Sequence, residues 1–219
     1  MVLVSIIFLL GLSFGSLAFS TAINGITPTP SSQASVQAML GCIPKDTEVI
    51  YDLGCGFGGL ILSAARTCPS AKVIGIENSF FPFIIAYFRQ KIGRVKNLKI
   101  VRGDFYKADF NALAGILKES YEDIAMHLRE DGFRKKPKKV FLAYLCTGAM
   151  EKLKPTLKKE LKEGSILISN FFKVHGWKQS SFEDCFLDKT KPNRDVFVYT
   201  SKSVLDPFAL SQSMISSDS

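Results

Sequence analysis

The chain has 219 residues, of which 47 % are hydrophobic and 22 % are charged, so it suits one domain with a buried core and excludes a chain that is disordered throughout. Its formal net charge is +8, from 28 basic and 20 acidic residues. The charge is placed unevenly, because residues 1–44 contain no charged side chain and Lys45 is the first. The sequence therefore divides into a charge-free leading segment and a basic domain.

The leading segment contains a run of 22 residues, 2–23, without charge or proline. A helix of that length spans roughly 33 Å, enough for a hydrocarbon core of about 30 Å. We therefore predict a membrane anchor over residues 1–24. A cleavable signal peptide, with small residues at 18–20 as the cleavage site, and a buried core helix are the two alternatives. The basic residues that follow favour a single-pass protein with its domain on the cytoplasmic side of the membrane.

The segment after the anchor, residues 25–44, is predicted to hold a breaker-rich link at 27–32 and a short helix at 35–40. Beyond it, strands and helices alternate up to residue 202, and residues 203–219 form a predicted flexible tail. The predicted strands are 48–53, 72–76, 98–101, 140–145, 165–170 and 196–200. The predicted helices are 60–67, 82–89 (starting at a proline), 112–128 and 149–163. Such alternation is typical of an α/β domain with a mostly parallel sheet covered on both faces.

Cysteines and histidines show no metal-binding pattern. The five cysteines are isolated, and the two histidines are 48 residues apart. No CxxC pair or Cys–His spacing indicates zinc, so we expect no metal site and free thiols in a reducing compartment. The cysteines are Cys42, Cys55, Cys68, Cys146 and Cys185.

The first predicted strand ends in a glycine-rich loop, DLGCGFGG, at residues 52–59. Its glycines let the backbone approach a ligand closely, and the helix that follows offers its N-terminal amides. Glu77 ends the second strand, where a carboxylate can accept both hydroxyls of a ribose. Asp104 follows the third strand, where it can hold an adenine amine. The pattern predicts a nucleoside-containing cofactor.

Two kinds of cofactor compete for this loop. Gly54, Gly56 and Gly59 satisfy GxGxxG, the dinucleotide fingerprint. However, Asp52 at the entry of the loop would repel a pyrophosphate and attract an ammonium group. The Gly-Asp pair that ends in Asp104, and the 48 or so residues that precede the motif, also favour a cofactor other than NAD.

With these residues the chain resembles the class I S-adenosylmethionine-dependent methyltransferases over about residues 28–200. The hallmark Asp/Glu-x-Gly-x-Gly-x-Gly is matched from Asp52 to Gly58. The resemblance implies a Rossmann-like three-layer sandwich over residues 45–202 and S-adenosylmethionine as cofactor. It further implies that Asp52 faces the methionine end, Glu77 the ribose and Asp104 the adenine. The cofactor-binding residues expected from it are Asp52, Gly54, Cys55, Gly56, Gly58, Glu77, Asn78, Asp104 and Phe105.

A narrower resemblance is to small membrane-anchored protein-lysine methyltransferases. It rests on the apolar anchor, the Pro-Thr-Pro link at 28–30, the helix with Val36, Met39 and Leu40, the DLGCGFG loop and an aromatic stretch at 171–177. It implies a lysine of a membrane protein as methyl acceptor. The chain departs from those relatives at Phe57, where they often carry Asp, and in the basic stretch at 129–139.

The acceptor side is less well marked by the sequence. The (Asp/Asn)-Pro-Pro-Tyr pattern of base and glutamine methyltransferases is absent, because residues 143–147 read AYLCT. Tyr144, His175 and Trp177 are the candidates for catalytic residues, by their places at the carboxyl ends of the fourth and fifth strands. Phe171 and Phe172 could join an aromatic rim around a lysine amine or pack in the core, and His175 could accept a proton or be structural.

Basic residues concentrate at 129–162, where eleven stand against four acidic ones. A solvated helix face, attraction to anionic lipids and binding of nucleic acid are the three interpretations. The apolar anchor favours lipid, with nucleic acid left open. We therefore expect a membrane-anchored methyltransferase with a protein acceptor. A small-molecule or lipid methyltransferase and a non-catalytic cofactor-binding module are the alternatives.

Overall fold

The computed structural model describes residues 32–117, 138–162, 164–180 and 196–204. The predicted anchor at 1–24, residues 118–137, residues 181–195 and the predicted tail from residue 205 onward lie outside the described residues. Within the described ranges, no helix is both long and apolar enough to cross a bilayer.

Among the described residues, six strands form one sheet, and all six were predicted from the sequence. The strands are β1 (Val49–Leu53), β2 (Lys72–Glu77), β3 (Leu98–Arg102), β4 (Lys139–Ala143), β5 (Ile166–Asn170) and β6 (Val196–Thr200). The sheet order is β3-β2-β1-β4-β5-β6, with the first five strands parallel and β6 antiparallel to β5. The fourth strand ends two residues before its predicted end.

In the part of the chain that the structure describes, five α-helices connect or flank these strands. They are α1 (Gln33–Gly41), α2 (Gly59–Thr67), α3 (Phe80–Ile92), α4 (Phe110–Gly115) and α5 (Thr147–Glu160). The predicted start of α3 at Pro82 was wrong by two residues. Pro82 is the third residue of the helix, where a missing N–H is harmless because first-turn amides have no partner within the helix.

The predicted helix at 112–128 begins two residues early, at Phe110, since Asp109 accepts the N–H groups of Asn111 and Ala112 as an N-cap. Beyond residue 117 this prediction lies outside the described residues.

The sheet has a hydrophobic cluster on each face, which makes the three layers of the predicted sandwich. Alternate strand residues point to opposite faces, so Ile50, Leu142 and Ile168 pack on the side of α1, α2 and α3. Tyr51 and Phe141 pack on the other side, with α4 and α5. Met39 of α1 is fully buried, so the short helix before β1 is packed on the sheet as part of the core.

The strand order reverses beside β1. The chain runs outward from β1 to β2 and β3, and then returns to the other side of β1 as β4. The loops after β1 and β4 therefore leave the sheet in opposite directions and open a crevice at the carboxyl ends of the strands. The glycine loop and Tyr144 both lie at this edge.

Candidate functional site

The glycine loop after β1 depends on backbone conformations that favour glycine. Gly54, Gly56 and Gly58 have φ values of +85°, +52° and +80°. The loop is held to β2 by the N–H groups of Gly54 and Cys55, which both donate to the carbonyl oxygen of Ile76 at 2.9 and 3.0 Å. A Cβ on Gly58 would stand 3.2 Å from the Cβ of Ala86 in α3, so glycine here also permits close packing of the loop on that helix.

Glu77, at the end of β2, joins two parts of the site. Its Oε2 accepts the backbone N–H of Gly56 at 2.8 Å, and its Oε1 accepts the N–H of Ser79, just before α3, at 2.7 Å. A carboxylate has about four acceptor positions, so about two remain for hydroxyl groups of a ligand. The ribose-binding role of Glu77 stays a prediction, for which these two acceptor positions are available.

Asp52 is 4 % exposed and lies on the same face of the sheet as Leu142, its neighbour in register on β4. No hydrogen-bond donor meets its carboxylate among the described residues, in contrast to Glu77. Burial, and secondly the negative charge of Glu77, raise the pKa of Asp52 to about 8. The site thus holds a buried acid whose ionised form requires a cation nearby.

The third predicted acid, Asp104, lies just past the end of β3, where the sequence placed it. The N–H of Gly103 donates to the Glu77 carbonyl oxygen at 3.1 Å, and Asp104 Oδ1 accepts the N–H of Tyr106 at 2.9 Å. Asn78, the residue after Glu77, is exposed at the same edge. The structure therefore brings the acids Asp52, Glu77 and Asp104 to the ends of three adjacent strands.

Two predicted cofactor-binding side chains point into the protein. Cys55 Sγ would be 2.9 Å from a Cβ on Gly75, so the missing side chain of that strand residue makes room for the thiol. Burial raises the pKa of the Cys55 thiol, which makes it unreactive. Phe105 is also buried, with its ring packed beneath Gly54. Both side chains support the loop, and only their backbone groups remain available to a ligand.

Aromatic side chains surround the ends of β4 and β5. The half-buried Tyr144 has its ring centroid 6.2 Å from that of Phe172, which lies 5.1 Å from that of Phe171. Phe171 is 58 % exposed and has a φ of +68°, a conformation that is costly for a non-glycine residue. Ser169 Oγ stabilises this turn by donating to the Phe172 carbonyl oxygen at 2.6 Å. Of the two phenylalanines, Phe171 is the one that faces outward.

Asn170, the last residue of β5, was not singled out from the sequence. It is 3 % exposed, and its Oδ1 is buried without a hydrogen-bond partner. Asn170 pairs with Val196, which packs in the cluster on the α1–α3 side, so the carboxamide lies on the same face of the sheet as Asp52. Buried polar atoms are almost always paired, so an unpaired acceptor at this edge indicates a ligand group. Only the register of the strands shows that the Asn170 carboxamide lies on this face.

The other two catalytic candidates lie on the loop after β5. Trp177 packs its ring against Tyr199 at 5.9 Å, and the Tyr199 hydroxyl accepts the N–H of Val174 at 3.0 Å. Trp177 thus helps to fasten the loop to β6. His175 is exposed at a turn beside Gly176, which has a φ of +76°. The structure does not bring His175 into contact with the three acids.

The described part of the basic stretch is partly neutralised. Lys138 pairs with Asp46, and Lys154 pairs with Glu151 at 2.7 Å. Lys139 is buried and contacts Glu160 at 2.7 Å. The interpretation of 129–162 as an open cationic surface therefore applies to fewer lysines than the sequence indicates.

Comparison with known proteins identifies a family. The family described as "Putative methyltransferase" matches residues 46–155, which is half of the chain and runs from before β1 into α5. This range contains the glycine loop, Glu77, Asp104 and Tyr144.

Curated relatives include methyltransferases that act on proteins. The chain is 27 % identical to a protein-lysine N-methyltransferase of Saccharolobus islandicus (strain REY15A) over 173 residues, 78 % of this chain and 90 % of that protein. It is 30 % identical over 87 residues to the release factor glutamine methyltransferase of Buchnera aphidicola subsp. Schizaphis graminum (strain Sg). That second match covers 40 % of this chain but only 29 % of the relative, so the chain spans less than a third of its length.

Among solved structures, the chain resembles an RNA methyltransferase from Salinibacter ruber in complex with S-adenosyl-L-homocysteine. The TM-score is 0.57 at 22 % identity, and the match covers 82 % of this chain and 97 % of the other. At this identity the similarity concerns the fold, and it confirms the Rossmann-like architecture expected from the sequence.

Proposed function

The chain belongs to the methyltransferase family that matches residues 46–155 and is a class I S-adenosylmethionine-dependent methyltransferase, and we propose that its acceptor is the side-chain amine of a protein lysine. The choice of lysine as the acceptor rests on the similarity to the Saccharolobus protein-lysine N-methyltransferase, because that similarity extends over 78 % of this chain and 90 % of the relative. A match of that extent includes β5, whose carboxyl end lies at the crevice.

The residues at the edge of the sheet fit the cofactor. S-adenosylmethionine is a cation that carries an ammonium group and supplies an electrophilic methyl group when it is bound. Asp52 is a buried acid with a raised pKa, so a positive charge beside it would restore its ionised form. Glu77 is held by the N–H groups of Gly56 and Ser79 with acceptor positions to spare for ribose hydroxyls.

The side-chain oxygen of Asn170 is suited to bind the nitrogen of a lysine acceptor. A lysine amine has an unperturbed pKa of about 10.4 and has to lose a proton before it can react. An aromatic rim formed by Tyr144, Phe171 and Phe172 would remove water from the amine and so favour its neutral form. The unpaired Oδ1 of Asn170 then accepts one N–H and orients the nitrogen lone pair. Asn170 stands one position beyond the paired residues Ala143 and Ser169, beside Tyr144.

A glutamine acceptor is less well supported. The matching release factor methyltransferases are covered over 29 % to 35 % of their own lengths, and this chain has AYLCT at 143–147 where a Pro-Pro-Tyr motif would be expected. A small-molecule or lipid acceptor is the second candidate function, because the charge-free leading segment could hold the enzyme beside a membrane-soluble substrate.

Membrane attachment is part of the proposal and rests on the sequence. The apolar run at residues 2–23 is long enough to span a bilayer, and the basic domain that follows favours the cytoplasmic side. The enzyme would then act on a lysine near the membrane, in an integral membrane protein. If so, the full chain stays in the membrane pellet after extraction with carbonate, and release into the supernatant contradicts the anchor.

The acceptor is tested with the full chain, radiolabelled S-adenosylmethionine and membranes of the source cells. We expect label in a protein band and, after acid hydrolysis, in methylated lysine. Label that partitions into the organic lipid extract would establish the second candidate function, and label recovered as methylglutamine would contradict the lysine acceptor. Cofactor binding without any transfer would indicate the non-catalytic module.

A further inference from the structure

The helix α3 carries apolar residues on two opposite faces. Pro82 and Ala86 are buried, together with Gln90, whose carboxamide is hydrogen-bonded to the backbone of β3. Phe80, Phe88 and Ile92 are 54 %, 57 % and 81 % exposed. At about 100° per residue these three lie within an arc of about 120° that is centred opposite the buried residues. A surface helix normally carries polar residues there, so a row of large apolar side chains indicates an interaction surface.

This outward face is also cationic. Residues 78–103 include six basic residues and no acidic one. One of the six, Lys99, pairs with Ile74 and lies on the other face of the sheet. The Arg102 guanidinium lies 5.2 Å from the ring centroid of Phe80, and Lys91 Nζ lies 5.4 Å from that of Tyr87. Among the described residues, none of the other five basic residues takes part in an ion pair. These five are Arg89, Lys91, Arg94, Lys96 and Arg102.

The partner of such a face must bring both apolar and anionic groups. The leading segment of this chain is apolar but has no charged residue before Lys45, so it would leave the cations without counter-charges. A second copy of the chain has a net charge of +8 and would be repelled. An anionic lipid bilayer provides both, with phosphates at the surface and hydrocarbon just below.

The other basic helix lacks this combination. In α5 the apolar residues Ala149, Met150, Leu153 and Leu157 are all buried, and Lys154 is paired with Glu151. Its exposed face is polar, which suits water. The two surfaces lie on opposite sides of the sheet, because α3 packs on the face of Ile50 and α5 packs on the face of Tyr51.

We propose that the outward face of α3 docks on an anionic lipid bilayer, with Phe80, Phe88 and Ile92 at the level of the headgroups. Docking there has a consequence for the site. Phe80 directly follows Ser79, whose N–H binds Glu77, so the lipid-facing surface begins at the edge of the cofactor crevice. The crevice is thereby held close to the membrane surface, which, on the basis of the proposed function, is where a membrane-protein lysine would be presented.

The test must report on α3 itself, because the apolar leading segment could also bind lipid. In full-length protein with Trp177→Phe, Phe88→Trp places the only tryptophan on the outward face of α3. A matched variant, Trp177→Phe with Lys158→Trp, places it on the exposed face of α5. Both are mixed with vesicles of phosphatidylcholine alone or with phosphatidylserine, with brominated acyl chains as the quencher. Binding of S-adenosylmethionine by both variants serves as the folding control.

We expect the emission of the Phe88→Trp protein to shift to the blue and to be quenched by brominated vesicles that contain phosphatidylserine. We expect the Lys158→Trp protein to remain unquenched. A blue shift at position 88 without quenching would show that protein covers the face, and stronger quenching at position 158 would assign docking to α5. Absence of any change at position 88 would also overturn the proposal. Carbonate extraction tests the membrane anchor in the leading segment separately. Failure of the docking proposal therefore does not imply failure of the anchor, and failure of the anchor does not imply failure of docking.

Discussion

Glu77 Oε2 accepts the backbone N–H of Gly56 at 2.8 Å, which links the end of β2 to the glycine loop after β1. One carboxylate thus shapes the loop and also faces the site. Its negative charge raises the pKa of the nearby buried Asp52, in addition to the larger effect of burial. The two acids are therefore coupled, and substitutions at one should be detectable at the other.

Replacement of Asp52 by Asn should make stability less dependent on pH. The pKa of Asp52 is raised from 3.8 to about 8, so between these values the folded protein holds a proton that the unfolded chain has released. The free energy of unfolding of the wild type should therefore fall as pH rises through this window. The Asp52→Asn protein lacks this term and should melt at a higher temperature than the wild type at pH 8.5. Thermal melts at pH 3 are the control, since this pH lies below both pKa values and Asp52 is then largely protonated in both states.

The same substitution should weaken cofactor binding. The cation favours ionised Asp52, so wild-type affinity for S-adenosylmethionine should increase with pH up to about 8. Asp52→Asn should lower the affinity by about tenfold or more and flatten that pH dependence. Isothermal titration calorimetry at pH 6, 7 and 8 measures both effects. Equal affinities of the two proteins at pH 8 would contradict the assignment of Asp52.

Glu77→Gln should lower the pKa of Asp52 and destabilise the loop. A Gln side chain carries an NH₂ group that cannot accept the N–H of Gly56 or Ser79, so one of two hydrogen bonds is lost at a cost of about 1–3 kcal/mol. Loss of the negative charge should also lower the upper end of the pH window in which stability falls, because that end is set by the pKa of Asp52 in the folded protein. Denaturant unfolding at several pH values measures both. A variant as stable as the wild type would show that the two bonds do not order the loop.

Gly58→Ala should destabilise the protein by about 1–2 kcal/mol, because alanine is disfavoured at a φ of +80°. Its Cβ would also press on Ala86 of α3 at 3.2 Å. The matched control is Gly148→Ala in α5, where a Cβ meets nothing within 4 Å and helix propensity favours alanine. Urea unfolding should separate the two variants. Equal stability of both would argue against strain at Gly58.

Asn170→Ala should reduce activity without loss of stability. The substitution removes a buried unpaired oxygen, so the free energy of unfolding should be unchanged or higher. Methyl transfer to membrane protein should fall about tenfold to a hundredfold, because the acceptor nitrogen loses its orientation. Affinity for S-adenosylmethionine should not change.

The control for Asn170 is Asn111→Ala on α4, which removes the hydrogen bond from Lys139 Nζ to Asn111 Oδ1. It should show the opposite pattern, with lower stability and full activity. If Asn170→Ala is destabilised and fully active, the carboxamide has a structural role and the acceptor site lies elsewhere.

Much of the fold followed from local patterns. Mainly apolar runs of four to six residues, separated by glycine loops and helical spacing, predicted all six strands. They did so because burial on both faces of a parallel sheet favours such runs. The ends of α3 and β4 were less well predicted. The helix α3 begins at Phe80, two residues before Pro82. The β4 ladder stops at Ala143, since the pairing of neighbouring strands and not composition determines where a strand ends.

The sequence by itself determined the glycine loop, the order of strands and helices and the acids Asp52, Glu77 and Asp104, because these depend on short-range spacing and on the backbone freedom of glycine. Only the tertiary structure decided which polar groups have hydrogen-bond partners and which apolar side chains are buried. Register places Asn170 beside Tyr144 with its oxygen unpaired, and helix packing leaves Phe80, Phe88 and Ile92 outside the core. Burial and pairing arise from contacts between residues distant in the chain, so local sequence patterns do not contain them.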